Sequence, residues 1–301
     1  MAIFAVVTIV FMAYVIREHH GMLTAARLTN PWLLLLAAAI HGSFWLLAAT
    51  FWRFAVYVTT DNRLSMSESF RQLALVAVGK YVPGKVWGFL ARGTALRQAE
   101  TTTKGVFAAT FVEQWAMLMS AGLVSGLLLL FTRPNQLFTV FALVAILTAL
   151  FGNYFFRFGI AFFNRILKLV TTKDDIRMAT PLGYRRYIAL LTMHSLMWVL
   201  IGLVLASIYY AFSLQHFSLE LCAALILANT FGIVVGFVAL FAPGGLGVRE
   251  AVTTAMLLPY MPLEEAAVLS IAFRVWTTSI DVILAIMLVG QSARAAGRTY
   301  T

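Results

Sequence analysis

The chain contains one cysteine, Cys222, in 301 residues. A lone thiol closes no internal disulfide and builds no cysteine-ligated metal cluster. It stands in an apolar run, where it reads as packing filler. Charge is also scarce: Asp, Glu, Lys and Arg make up 11% of residues, against about 25% in a soluble domain. Acids are the scarcer sign, 12 against 22 basic residues. There is no Walker sequence, no HExxH zinc signature and no GxSxG nucleophile elbow. ATP hydrolysis within the chain, zinc-dependent proteolysis and serine-hydrolase chemistry therefore have no residues to run on. No metal or cofactor site is legible, and a non-enzymatic role is expected.

What is abundant is apolar, at 61% of residues, gathered into runs near the ~20 residues that cross a bilayer. The expected fold is an all-α polytopic membrane protein. Six runs read as full crossings: Ala2–Ile16, Trp32–Val58, Val106–Phe131, Leu137–Phe156, Tyr187–Phe212 and Ala266–Gly290. Met1 to Ile16 lacks a basic leader and a small-residue cleavage site, so it reads as a retained first span. Two further runs are interrupted and read as re-entrant broken hairpins. Ser69–Leu90 breaks at Pro83-Gly84, and Leu219–Leu258 breaks at Pro243-Gly244-Gly245.

Orientation follows from the loops. Arg157 to Arg186 holds seven Lys or Arg, and Arg92, Arg97 and Lys104 follow the first break, whereas Ser213–Ser218 and Pro259–Glu265 hold none. Basic loops stay in the cytoplasm. Both termini are accordingly expected there, with the chain in the cell's cytoplasmic (inner) membrane. The net charge of +10 thus serves topology and anionic headgroups rather than nucleic acid. Arg157–Val170 interleaves aromatic and basic residues and is expected to lie as a helix in the cytoplasmic interface. Arg53 is expected to snorkel from the end of its span.

The halves resemble each other. His41-Gly-Ser-Phe-Trp45 matches His194-Ser-Leu-Met-Trp198 at an offset of 153, Pro83-Gly84 matches Pro243-Gly244 at 160, and Trp115 falls where Trp276 does at 161. The expected organisation is an inverted repeat, 1–136 and 137–301. Each half reads span, span, broken hairpin, span, a recurrent transporter plan with its site at unwound segments near the midplane.

Ionisable residues at membrane depth cost at least ~2.5 kcal/mol unless paired or hydrated, so the few present are candidates. Lys80, Lys85 and Arg92 surround the first break, and Arg249 and Glu250 follow the second. Glu113 lies in the third span. Arg274 and Asp281 sit seven residues apart, on one helical face. Arginine's donor fork suits phosphate oxygens, so Arg274 reads as holding a phosphate that Glu113 and Asp281 tune. On a plainer reading Glu113 and Arg274, at equivalent places in the two halves, form a structural ion pair locking two spans. Gly84, Gly88, Gly244, Gly245 and Gly247, with Pro83 and Pro243, permit the hairpin turns and close backbone approach. His41 and His194 read as hydrogen-bonded between helices. Gly122-x-x-x-Gly126 and Gly232-x-x-x-Gly236 are helix-packing spacings.

Pro243-Gly244-Gly245-Leu246-Gly247-Val248-Arg249-Glu250, with Tyr81-Val82-Pro83-Gly84 upstream, Glu113 and a late Arg274, resembles the transmembrane (flippase) region of the lysylphosphatidylglycerol synthase/flippase family. The resemblance covers nearly the whole chain. It implies movement of a charged or glycosylated lipid between leaflets. In two-domain members the lipid is an aminoacylated phospholipid made by a cytoplasmic domain. The reading here is a stand-alone member without that synthase domain, so lysyl transfer is not carried over. Lys80-Tyr81-Val82-Pro83-Gly84-Lys85-Val86-Trp87 looks more like stand-alone relatives linked to surface glycan or glycolipid assembly. The expected partners are membrane lipids with anionic headgroups, with a glycosyltransferase or lipid-modifying enzyme as a further partner and oligomerisation left open. The alternative is a non-transporting scaffold or regulatory subunit of a glycosyltransferase.

Overall fold

The computed structural model describes residues 28–80, 88, 92, 103–133, 135–170, 182–239 and 242–298. Among these are eight α-helices and no strand. They are α1 (Trp32–Thr60), α2 (Met66–Gly79), α3 (Thr103–Thr132), α4 (Gln136–Val170), α5 (Tyr184–Phe212), α6 (Leu219–Val238), α7 (Val248–Leu257) and α8 (Leu263–Arg298). Six of them, all but α2 and α7, are long and apolar enough to cross a membrane. Helices suit that solvent because each satisfies its own backbone polar groups.

Five of these six fall on expected crossings. The expected span 2–16 lies outside the described residues, and the sixth long helix is instead α6, the first limb of the second broken segment. Its 20 residues extend about 30 Å at 1.5 Å per residue, enough to cross alone. A second difference concerns Arg157–Val170, which is no separate interfacial helix. It continues α4, whose 35 residues run unbroken; the stretch carries no proline and only Gly159, which faces open space, so nothing stops the helix.

Helix ends follow local chemistry. Ser65 Oγ accepts from Glu68 N at 3.2 Å, Asn135 Oδ1 from Phe138 N at 2.9 Å, and Ser218 Oγ from Leu221 N at 3.3 Å, each answering an amide the helix cannot. Just past α1, Asp61 adopts φ +56°, a left-handed position that aspartate tolerates. Arg53 donates from Nε to Leu64 O at 2.8 Å, tying this corner instead of merely reaching outward.

The chain packs as two compact units that divide α1, α2 and α5 between them. One comprises Met1–Ser43, Phe70–Arg92 and Ile201–Thr301; the other comprises Phe44–Ser69 and Gly93–Leu200. In the second unit α3 and α4 lie close at small residues: a Cβ on Gly126 would stand 2.8 Å from Ala142 O and 2.7 Å from Ile146 Cγ1. Trp115 Nε1 donates to Gly152 O at 3.0 Å, Tyr187 Oη to Ala149 O at 2.5 Å, and Trp198 Nε1 to Met117 O and Ser120 Oγ, both at 3.0 Å. Trp198→Phe removes that buried donor and is expected to lower stability by about 1 kcal/mol, read as a lower unfolding temperature in detergent.

In the first unit α6 and α7 fold back on each other. Arg249 O would lie 2.9 Å from a Cβ on Gly232, and Arg249 Cβ 3.1 Å from one on Gly236. The Gly232/Gly236 spacing therefore serves close packing of this hairpin. Cys222 is buried in α6, as expected of filler.

Candidate functional site

Between α6 and α7 the chain makes a tight turn in which Pro243–Gly245 form a single 3-10 turn. Three glycines there take left-handed backbone angles: Gly244 φ +60°, Gly245 φ +73° and Gly247 φ +78°. Side chains at such angles are strained, which explains the motif's composition. Gly245 also lies against α6, where an added Cβ would meet Gly236 O at 3.0 Å. Glu250 closes the start of α7: its Oε2 accepts from Gly247 N at 2.7 Å, satisfying an amide no helical carbonyl can reach.

Around this turn the first unit gathers charge from three directions. From α8, Arg274 Nη2 donates to Gly244 O at 2.9 Å, and Arg274 Nε faces Glu250 Oε1 at 3.4 Å. From the end of α2, Lys80 O accepts from Gly244 N at 2.8 Å. The Lys80 ammonium meets Asp281 Oδ2, also of α8, at 2.6 Å. The peptide of Gly244 is thus held on one side by α8 and on the other by the residue that leads into the first break. Arg274 is 3% exposed and Asp281 5%.

Arg274 is eleven residues into α8, about 17 Å along the axis from Leu263 and close to half of a ~30 Å hydrocarbon layer. Charges taken out of water need partners, and here each acid has its cation. The expected shared face of Arg274 and Asp281 is present, but they serve different partners: Glu250 for one, Lys80 for the other.

The remaining expected residues fall as follows. Arg249 donates from Nη2 to Asn229 Oδ1 at 3.3 Å and stacks over Phe273 at 5.2 Å from the ring centre. Arg92 is helical and fully buried. Gly88 is helical and buried, and a Cβ there would stand 2.9 Å from Val76 Cα, so it passes directly along α2. Glu113 is buried in α3 of the second unit, where it interacts electrostatically with His194. Pro83, Gly84 and Lys85 lie outside the described residues.

Two participants were not anticipated. Asn229 is fully buried, and its Nδ2 has no hydrogen-bond partner among the described residues; its signal was being the lone amide within the apolar run of α6. Trp276 Nε1 donates to His41 Nδ1 at 3.0 Å, linking α8 to α1. The expectation of an inter-helix histidine holds at His41, whereas His194 Nδ1 bonds Leu190 O in its own helix at 2.8 Å. Among the described residues no group of three or more His, Cys, Asp or Glu is placed to hold a metal ion.

Long apolar helices enclosing a charged, proline- and glycine-broken turn define a multi-pass α-helical membrane protein. Residues 1–285 match the family model described as the lysylphosphatidylglycerol synthase TM region, and the chain belongs to that family. No curated protein and no solved structure matches it.

Proposed function

We propose that the chain is a lipid translocase that moves an anionic or glycosylated lipid between leaflets, and that the Gly244 turn receives the headgroup. Membership of a lipid-associated membrane family supports the class. The observation that carries the reading is the buried cluster itself. Arg274, Arg249 and Lys80 surround a turn with polar capacity to spare. Among the described residues Glu250 Oε1 accepts no hydrogen bond beyond its 3.4 Å ion pair with Arg274, and the Asn229 Nδ2 amide donates none. Arginine's fork matches a phosphate, and the open acceptor and donor suit headgroup hydroxyls or amines. Acyl or prenyl chains would remain in lipid. The protein acts without making or breaking covalent bonds, in the cytoplasmic membrane with both termini in the cytoplasm, as the basic loops favour.

The deciding experiment is reconstitution. Purified protein in liposomes is given fluorescent phosphatidylglycerol, an aminoacylated phospholipid and a polyprenyl-linked or diacyl glycolipid, each reported by quenching of the outer leaflet. Exchange above the protein-free rate for one class names the substrate. Protein-free rates for all of them, with a glycosyltransferase co-purifying, would replace the translocase by a scaffold.

A further inference from the structure

We propose that His41 is a proton-binding site whose occupancy loosens the link between the end of α2 and the Pro243–Gly245 turn. The proposal deepens the translocase reading by supplying a coupling ion, and depends on it only for the consequence in transport.

The geometry starts from Trp276. An indole N–H only donates, so the 3.0 Å bond from Trp276 Nε1 to His41 Nδ1 requires a lone pair on Nδ1. The neutral ring then carries its proton on Nε2, and Nδ1 is the atom that takes an added one. A proton there sets two N–H groups head to head. The bond breaks, and with it this link between α1 and α8.

The new charge has defined neighbours. Asp281 of α8, Lys80 at the end of α2 and Arg249 of α7 face His41 electrostatically. Asp281 is the acid of that set, and it is engaged by Lys80 at 2.6 Å. A protonated His41 competes with Lys80 for Asp281 and repels both Lys80 and Arg249. Lys80 is also the residue whose carbonyl holds Gly244 N at 2.8 Å. One proton thus weakens the ion pair and the backbone bond that meet at Lys80. His41 is 4% exposed and nine residues into α1, about 14 Å from its start. An ionisable group at that depth marks an ion or proton path more often than a structural accident.

The test uses the full chain in liposomes with the proton itself as probe. Deuterium exchange of the 242–250 segment reports the Gly244 amide, corrected for the intrinsic pH dependence of exchange. Wild type is expected to lose protection about tenfold as the medium is acidified, a local opening rather than global unfolding. His41→Gln keeps an acceptor for Trp276 but binds no proton, so the acid response disappears. Trp276→Phe removes the donor that opposes protonation, so the response moves to higher pH. Asp281→Asn removes the shared acid and with it the Lys80 ion pair, so the 242–250 segment is already less protected at neutral pH. Its further loss on acidification shrinks, while Trp276 emission still follows the titration of His41. An unchanged midpoint in both His41→Gln and Trp276→Phe overturns the proposal. Lipid exchange is measured in parallel: if it is absent at every pH, the translocase reading fails while the amide readout still decides the proton site.

Discussion

Replacing Arg274 by alanine is expected to stop lipid exchange in liposomes while the protein still inserts. The side chain bonds Gly244 O at 2.9 Å and faces Glu250 Oε1 at 3.4 Å. Its removal frees the turn from α8 and strands a buried carboxylate. Removing one member of a buried pair typically costs about 3–5 kcal/mol, whereas replacing both by apolar groups of similar volume is often near neutral. Arg274→Ala should therefore unfold at clearly lower temperature. Arg274→Leu combined with Glu250→Gln, which drops the charge but keeps an acceptor for Gly247 N, should recover most of that loss. If Arg274 receives a phosphate, the double variant regains stability and not exchange. A double variant that transports at the wild-type rate would reduce the pair to a structural lock and remove Arg274 from the headgroup site.

Gly245→Ala should be more damaging than Gly247→Ala at another left-handed position of the same turn. At φ +73° an L-residue carries roughly 1–2 kcal/mol of backbone strain. Its Cβ would in addition meet Gly236 O at 3.0 Å and Gly236 Cα at 3.1 Å. Both obstacles are backbone, so no side chain can rotate away, and overpacking of this kind adds about 1–3 kcal/mol. Gly247→Ala is the internal control: it shares the left-handed angle, φ +78°, but a Cβ there meets nothing within 4 Å. Thermal unfolding in detergent should rank wild type above Gly247→Ala, and Gly247→Ala above Gly245→Ala. Equal losses in the two variants would mean that strain alone governs the turn and that the contact with α6 contributes little.

Much of this site was legible because membrane depth makes a few residue types costly. Arg274, Asp281 and Glu250 stood out as charges within apolar runs, and the Pro-Gly breaks as backbone that no single helix can satisfy. Pairing was not legible. Sequence spacing put Arg274 and Asp281 on one face, yet which cation met which acid depended on α2 and α7 arriving from elsewhere in the chain. Asn229 and Trp276 were overlooked for the same reason, since an amide or an indole in an apolar run has no meaning until its partner is known. The helix through Arg157–Val170 was misjudged differently. Amphipathic composition signalled an interface, but a helix bends only where a proline, a cap or a competing contact makes it bend.

From its residues alone, this chain was bound to be a helical membrane protein with two interrupted segments and a handful of expensive charges, because period, length and hydropathy are local properties. Only the tertiary structure decided that Gly244 is held between Arg274 and Lys80, that Asp281 answers Lys80, and that His41 listens to Trp276. Those links join residues between 30 and 235 positions apart, and no local pattern encodes which distant group will complete a buried one.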